Sequence, residues 1–167
     1  MAMNIKRLGQ HLLSNRARVR RAFPRTALAE IEAAIKASEA RHAGQIRFVV
    51  EGALDGRPLL AGQSARERAL DVFSHLRIWD TEHNSGVLIY LLLADRDVEI
   101  VADRGIDAKV GAGRWREICA RMESEFRQGR FKSGVLEGIA QITADLAVHF
   151  PPRGPHRNEL PDPPVVL

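Results

Sequence analysis

The chain has 167 residues, of which 45% are hydrophobic, and this is enough to bury the core of one globular domain. Its single cysteine, Cys119, excludes an intramolecular disulfide and any metal site built from clustered cysteines. The longest fully apolar run, residues 87–94, is far too short to span a bilayer, and the N-terminus has no apolar signal-peptide segment. We therefore expect a soluble, cytoplasmic protein.

The charge is distributed unevenly along the chain. The formal net charge is +4, yet residues 1–29 contain seven basic side chains and no acidic one. A basic segment of this kind can bind an anionic membrane surface or nucleic acid. No aromatic residue lies among the charges of residues 1–22, which argues against nucleic acid as the partner. A solvated, arginine-rich helix without a partner is the alternative.

The N-terminal part is predicted to form two helices. Residues 1–22 have apolar residues at helical spacing and are interpreted as a basic amphipathic helix. A second helix starts in the turn that contains Pro24, runs to about residue 43 and is closed by Gly44. The apolar residues that define these helices are Ile5, Leu8 and Leu12 in the first and Leu28, Ile31 and Ile35 in the second.

A strand and a capped helix come next. Residues 45–51 have the β-branched and aromatic character of a strand, and residues 52–63 form a loop rich in glycine. Ser64 and Glu67 have the spacing of a capping box, in which each side chain binds the other residue's backbone N–H. This signature predicts a helix from Ser64 to about residue 76, with a buried face formed by Ala69, Leu70, Phe73 and Leu76.

Two adjacent strands follow this helix. Residues 87–93 are apolar at every position, as in a central strand covered on both faces. Residues 98–102 alternate, and the short link 94–97 makes the two strands an antiparallel hairpin. A right-handed crossover through the preceding helix sets strands 45–51 and 87–93 parallel.

The C-terminal part is predicted to contain two helices and a tail. The helices span about residues 112–128 and 132–149, and Cys119 falls on the apolar side of the first, where a buried, unreactive thiol is the favoured interpretation. Six of the eight prolines lie in 151–167, which predicts an extended, mobile tail.

These elements define the fold class and the organisation of the chain. They predict an α/β sandwich, with a small central mixed β-sheet (a parallel pair plus an antiparallel hairpin) flanked by helices. No fourth strand is visible in the sequence. The expected divisions are a basic amphipathic helix at 1–22, an α/β domain at 23–150 and a proline-rich tail at 151–167.

Polar residues occur in the two loops that the hairpin brings to one end of the sheet. One loop precedes strand 87–93 and the other follows strand 98–102. Carboxylate and amide oxygens are the ligands that calcium and magnesium prefer, so the sequence predicts a divalent-cation site. The alternative is that these side chains bind the loop backbone or are solvated. The candidate metal ligands are Asp80, Glu82, Asn84 and Asp103.

Two further loop residues, His83 and Arg104, are candidates for a catalytic role. His83 can act as a general acid or a ligand, and the alternative is a loop histidine with neither role. Arg104 precedes Gly105. Glycine lets the backbone approach an anion closely, and the guanidinium can bind the same anion with two hydrogen bonds. Arg104 can equally form an ion pair with Asp103 or Asp107.

Four segments resemble the TPM domain family in their order and spacing. The resemblance covers roughly residues 45–150 and is to a short proteobacterial branch. That branch lacks the signal peptide, transmembrane helix and glycine-rich tail of longer members. The segments are Asn84–Ile89, Val98–Ile106, Phe126–Phe131 and Gly134–Ile139.

The resemblance implies an α/β sandwich and several functions. Family members include acid phosphatases, factors in photosystem repair, receptor accessory proteins and bacterial domains that bind calcium or other divalent cations. Bacterial members are often encoded beside LemA-type membrane proteins, which implies a membrane-protein partner of that type. Many members carry Asp-Asn-Gly before the central strand, where this chain has His83-Asn84-Ser85-Gly86.

Two functional hypotheses follow. The first is a divalent-cation-binding accessory module, with calcium or magnesium as the expected cofactor. It is expected in the cytoplasm, with residues 1–22 attaching it to the periphery of the inner membrane. The second is a metal-dependent, acid phosphatase-like phosphomonoester hydrolase, in which a metal and Arg104 clamp the phosphate and the metal activates water.

Overall fold

The structure, a computed structural model, describes residues 6, 7, 9, 11, 16–152, 154 and 158–167 of the chain. Its strands are β1 Gln45–Glu51, β2 Gly86–Leu92, β3 Asp97–Ala102 and β4 Val165–Val166. Its helices are α1 Arg16–Ala22, α2 Arg25–Glu39, α3 Gly56–Leu60, α4 Ala65–His75, α5 Arg104–Val110, α6 Ala112–Arg127 and α7 Phe131–His149.

The sheet has the strand order β3-β2-β1-β4 and is mixed. β1 and β2 are parallel, with Gln45 opposite Gly86, and β2 and β3 form the antiparallel hairpin, with Val87 opposite Ala102. The predicted α/β fold class and both predicted pairings are confirmed.

Helices cover both faces of this sheet. One core lies between the sheet and α2, α6 and α7, and a second, smaller core lies between the sheet and α4. Alternate residues of β2 enter the two cores, since Ile89 belongs to the first and Leu88 to the second. This explains why β2 is apolar at every position, because neither face of a central strand is exposed to water.

Two helix starts show how local chemistry defines element boundaries. The capping box is confirmed: the Ser64 N–H donates to the Glu67 carboxylate at 2.8 Å, and the Glu67 N–H donates to the Ser64 hydroxyl at 3.2 Å. The segment after β3 was expected to be a polar loop, but it forms helix α5. Asp103 is the N-cap of α5, because its carboxylate accepts the Arg104 N–H at 2.8 Å.

The C-terminal tail provides a fourth strand that was not predicted. β4 pairs in parallel with β1, and the N–H of Leu167 donates to the Val50 carbonyl at 2.9 Å. The side-chain oxygen of Gln45 accepts two tail N–H groups, those of Glu159 and Leu160, each at 2.9 Å. The sequence predicted a mobile tail, whereas residues 158–167 lie against the domain. Proline-rich composition carries no information about these distant partners.

The described part of the N-terminal segment also packs on the domain. Val19 of α1 is buried in the larger core. The His11 side chain is fully buried: it accepts the Leu54 N–H at 2.9 Å and contacts Asp95 at 3.0 Å. The apolar residues Ile5, Leu8 and Leu12, which suggested an amphipathic helix, lie outside the described residues. Within the described residues, no helix is long and apolar enough to cross a membrane.

Candidate functional site

The hairpin brings the loop before β2 against the start of α5. The Asp103 N–H donates to the Gly86 carbonyl at 2.9 Å, and the Ile106 N–H donates to the Asn84 carbonyl at 3.2 Å. Gly105 lies so close to this loop that a Cβ there would be 2.6 Å from the Asn84 carbonyl oxygen. The loop before β2 and the start of α5 therefore meet at one end of the sheet, and a residue without a side chain is required where they touch.

Asp103 is the buried acidic residue at this junction. Its side chain is mostly shielded from solvent, with the residue 7% exposed. One carboxylate oxygen accepts the Arg104 N–H, while the other, Oδ2, is buried and has no hydrogen-bond partner in the described structure. A buried polar atom without a partner carries a free-energy cost and is a mark of a ligand or ordered-water position.

The other three candidate ligands lie on the exposed loop before β2. Asp80 forms an ion pair with Arg77, with 2.7 Å between Nη2 and Oδ2. Glu82 is exposed, and its backbone N–H donates to the carboxylate of Glu159 in the tail at 2.9 Å. Asn84 is exposed and has a φ of 49°, a left-handed conformation that asparagine tolerates. Asp103 alone of the candidate ligands is therefore both buried and short of a partner.

The described residues contain no preformed metal cage. Within the parts of the chain that the structure describes, no group of three or more His, Cys, Asp or Glu side chains is placed to hold a metal ion. A cation at Asp103 would therefore need amide, carbonyl or water oxygens to complete its shell. These are common ligands of calcium and magnesium.

His83 lines a cleft beside this junction. The cleft has a volume of about 280 Å³, and its polar side chains are basic or imidazole groups: His83, Lys109 and His149. The Lys109 ammonium is 3.4 Å from the His149 carbonyl oxygen and 4.6 Å from the centre of the Phe150 ring. We call this the histidine cleft. It has the electrostatic character of an anion-binding surface.

The sequence did not reveal Lys109 and His149 as site residues. They lie on α5 and at the end of α7, and no motif or spacing links either residue to His83. Only the packing of α5 and α7 against the loop before β2 places these three side chains around one cleft.

Arg104 is exposed at the first position of α5. It takes part in no ion pair within the described residues, so neither Asp103 nor Asp107 neutralises it there. Asp107 instead accepts the indole N–H of Trp115 at 2.8 Å. Arg104 is therefore available to a ligand that reaches the mouth of the junction.

The fold and the site define a three-layer α/β protein with a polar junction at the start of its central strand. The TPM domain matches residues 20–145, and the chain belongs to the TPM domain family. A comparison with curated proteins gave no match.

Solved structures that are similar to this chain include two bacterial proteins. The NMR structure of the BA42 protein from the psychrophilic bacterium Bizionia argentinensis has 30% sequence identity and a TM-score of 0.75, and the match covers 85% of this chain and 93% of that one. The solution NMR structure of the N-terminal domain of a P. gingivalis protein has 20% identity and a TM-score of 0.59, with 75% and 76% covered. The second match shows similarity of fold alone.

Proposed function

We propose that the protein binds a divalent cation, calcium or magnesium, where the loop before β2 meets α5, and that it acts as a non-enzymatic accessory module. The supporting observation is the Oδ2 atom of Asp103, which is buried and lacks a partner. A buried ionised carboxylate with an unsatisfied oxygen is costly, and a cation provides the missing interaction.

Two residues of the loop before β2 have side chains with the chemistry that such a cation needs. Glu82 and Asn84 lie on the facing loop and offer carboxylate and amide oxygens, which are hard ligands. Asp80 is left out of the proposed ligand set because Arg77 already neutralises it. A site with few charged ligands binds weakly, so we expect a dissociation constant of about 10⁻⁴–10⁻³ M.

Isothermal titration with calcium and with magnesium tests this proposal. The informative variant is Asp103→Asn, because asparagine is as good an N-cap as aspartate and keeps α5 intact while it removes the charge. The matched control is Asp80→Asn, which removes one charge from the neighbouring loop. We expect Asp103→Asn to abolish binding and Asp80→Asn to retain it. Equal binding by the wild-type protein and Asp103→Asn would refute the proposal.

The accessory role needs a partner, and we propose a membrane protein of the LemA type. The support is the family resemblance alone. We expect the two proteins to co-purify in a buffer that contains calcium. We expect the Asp103→Asn variant not to co-purify with the LemA-type protein. If the Asp103→Asn variant retains as much of the LemA-type protein as the wild-type protein does, partner binding does not depend on the cation.

A second candidate function is the hydrolysis of phosphate monoesters. The histidine cleft favours it, because His83, Lys109 and His149 present basic or imidazole groups beside Gly105, two residues after Asp103. Such groups can hold a phosphate, and a histidine can donate a proton to the leaving oxygen. A cation on Asp103 would supply charge stabilisation for the phosphate.

Hydrolysis of an aryl phosphate, measured from acidic to neutral pH with and without metal, distinguishes the two functions. If the protein is a phosphatase, His83→Ala lowers turnover without loss of stability, since His83 is exposed. The control is His75→Ala, an exposed histidine on α4 away from the cleft. Turnover that is equal in Asp103→Asn, His83→Ala and the wild-type protein would identify a contaminating enzyme.

A further inference from the structure

A second basic cleft lies at the other end of the central strand from the candidate site. It has a volume of about 350 Å³ and contains three arginines. Leu93, which lines it, directly follows β2, whereas the candidate site lies before the first residue of β2. The two sites are therefore separated by the length of this strand, roughly 20 Å. We call it the arginine cleft; its lining residues are Arg18, Arg21, Ala22, Leu93, Arg96, Gly129 and Phe131.

The fold holds these arginines on structured elements. Arg18 and Arg21 are three residues apart on α1, so they lie on neighbouring positions of one helix face. Val19, between them, is 2% exposed and anchors α1 in the core. Arg96 lies in the hairpin turn with a φ of 53°, and its N–H donates to the Leu93 carbonyl at 3.2 Å.

Among the described residues that line the cleft, none is acidic. Within the described part of the chain, Arg21 and Arg96 take part in no ion pair, whereas the nearby Arg130 is held by Glu125 at 2.6 Å. The guanidinium groups of Arg21 and Arg96 carry like charges around one cleft and repel each other, and an anion between them removes this repulsion. The guanidinium fork matches phosphate oxygens with two parallel hydrogen bonds.

We propose that the arginine cleft binds the terminal phosphate of a phosphate monoester. The apolar side chains of Leu93, Ala22 and Phe131 form the remaining wall and suit an organic group attached to that phosphate. Phe131 is itself held in place by stacking on Phe126, with ring centres 5.5 Å apart. The phosphate arrives either on a soluble ester or on a phospholipid headgroup, and the same chemistry recognises both.

The soluble source is tested by isothermal titration with glycerol 3-phosphate and with inorganic phosphate. The test variants are Arg21→Gln and Arg96→Gln, and the control is Arg20→Gln. Arg20 is an exposed arginine of the same helix that does not line the cleft, so the control removes an equal charge from nearly the same position. We expect each test variant to weaken binding about tenfold and the control to stay within about twofold of the wild-type protein.

The membrane source is tested by co-sedimentation with vesicles. One set contains phosphatidylcholine alone, and two others contain about 20 mol% phosphatidic acid, a monoester, or phosphatidylglycerol, a diester. If the headgroup is the source, sedimentation occurs with phosphatidic acid and is lost in Arg21→Gln and Arg96→Gln but retained in Arg20→Gln. Point substitutions are used because deletion of residues 1–22 would also remove Val19 and His11, which are buried.

The proposal is supported if binding in the titration or in the co-sedimentation is weakened by Arg21→Gln and Arg96→Gln but not by Arg20→Gln. Two results overturn it: no binding of any phosphate probe by the wild-type protein, or an equal loss in all three arginine variants. The second result would identify the general positive charge of α1 as the cause. The proposal is independent of the cation site, so Asp103→Asn should bind these probes like the wild-type protein.

Discussion

The hydroxyl of Tyr90 donates a hydrogen bond of 2.6 Å to the carboxylate of Glu51 inside the sheet. Arg68 of α4 binds the same carboxylate with two nitrogens, at 2.9 and 3.0 Å. Burial, together with the hydrogen bond to Glu51, raises the pKa of Tyr90 above its ordinary value, so the phenol stays protonated and remains the donor. One carboxylate thus joins β1, β2 and the helix that covers them.

We predict that Tyr90→Phe lowers the free energy of unfolding by about 1.5–3 kcal/mol, the usual contribution of a hydrogen bond to a charged group. Glu51 keeps the Arg68 fork in this variant, so the fold should persist. Glu51→Ala should cost more, because it leaves both the phenol and the guanidinium without their acceptor. Urea unfolding measures both changes. A Tyr90→Phe protein as stable as the wild type would show that the bond contributes nothing net.

The stability of the protein should fall as the pH rises from about 4.5 to 8. Burial, followed by the nearby charge of Asp162, raises the pKa of Glu39 from 4.5 to about 8. The folded chain therefore holds a proton that the unfolded chain has released in this range, and unfolding becomes easier as the pH increases. The contribution is at most about 5 kcal/mol, the full linkage for such a shift.

Chemical unfolding of Glu39→Gln across this pH range measures the effect. The variant cannot ionise at this position, so its stability should decline less than that of the wild type between pH 4.5 and 8. The control is Glu137→Gln on the exposed face of α7, which removes a similar charge without burial. Parallel pH profiles of the wild-type protein and Glu39→Gln would contradict the prediction.

Gly105→Ala should disturb the candidate site. The new Cβ would lie 2.6 Å from the Asn84 oxygen and 2.7 Å from the His83 oxygen, both backbone atoms that no rotamer change can move. We expect a loss of about 1–3 kcal/mol in the free energy of unfolding and weaker cation binding, because the loop before β2 must move away from α5. Thermal unfolding and calcium titration measure these changes.

Gly113→Ala is the matched control for this change. Gly113 lies near the start of α6, and a Cβ there would meet nothing within 4 Å. Alanine is the better helix former, so this variant should be neutral or more stable by up to about 1 kcal/mol. A similar loss of stability in both variants would show that the effect comes from the loss of glycine's backbone flexibility and not from the contact between the new Cβ and the loop.

Cys119 should react slowly with thiol reagents in the native protein. Burial is the largest cause that raises the pKa of this thiol to about 12, and Glu99, Glu123 and Asp97 add to it while the Ile100 N–H opposes it. The thiolate, which is the reactive form, is therefore scarce at neutral pH. Labelling with a chromogenic disulfide before and after urea unfolding checks this, and rapid labelling of the folded protein would contradict it.

Much of the fold could be predicted from the sequence, because its signals are local. The continuous apolar run of β2, the capping box at Ser64 and the short link before β3 are each encoded within a few residues. The predicted buried helix face was less reliable, since Leu70 was assigned to it and is 45% exposed. Helical periodicity tells which residues share a face, but not how far the neighbouring strand extends beneath it.

The candidate site was only partly visible in the sequence. The hairpin brought the loops of Asp80 and Asp103 to one end of the sheet, as strand direction requires. The sequence could not distinguish the carboxylates of Asp80 and Asp103. In the structure, Asp103 is buried with one oxygen unpaired, whereas Asp80 is exposed and pairs with Arg77. Burial is a property of the assembled layers, so it has no local signature.

The sequence by itself determined the layer architecture, the order of strands β1, β2 and β3 in the sheet and the family of this protein. Only the tertiary structure decided what joins its distant parts. Gln45 binds the backbone of Glu159 across 114 positions of the chain, and Arg18 and Arg96 meet around one cleft. The physical reason is the separation of the interacting residues along the chain. Helical periodicity and capping act between residues a few positions apart. Docking of the tail and assembly of the arginine cleft depend on contacts that exist only once the sheet and its helices have packed.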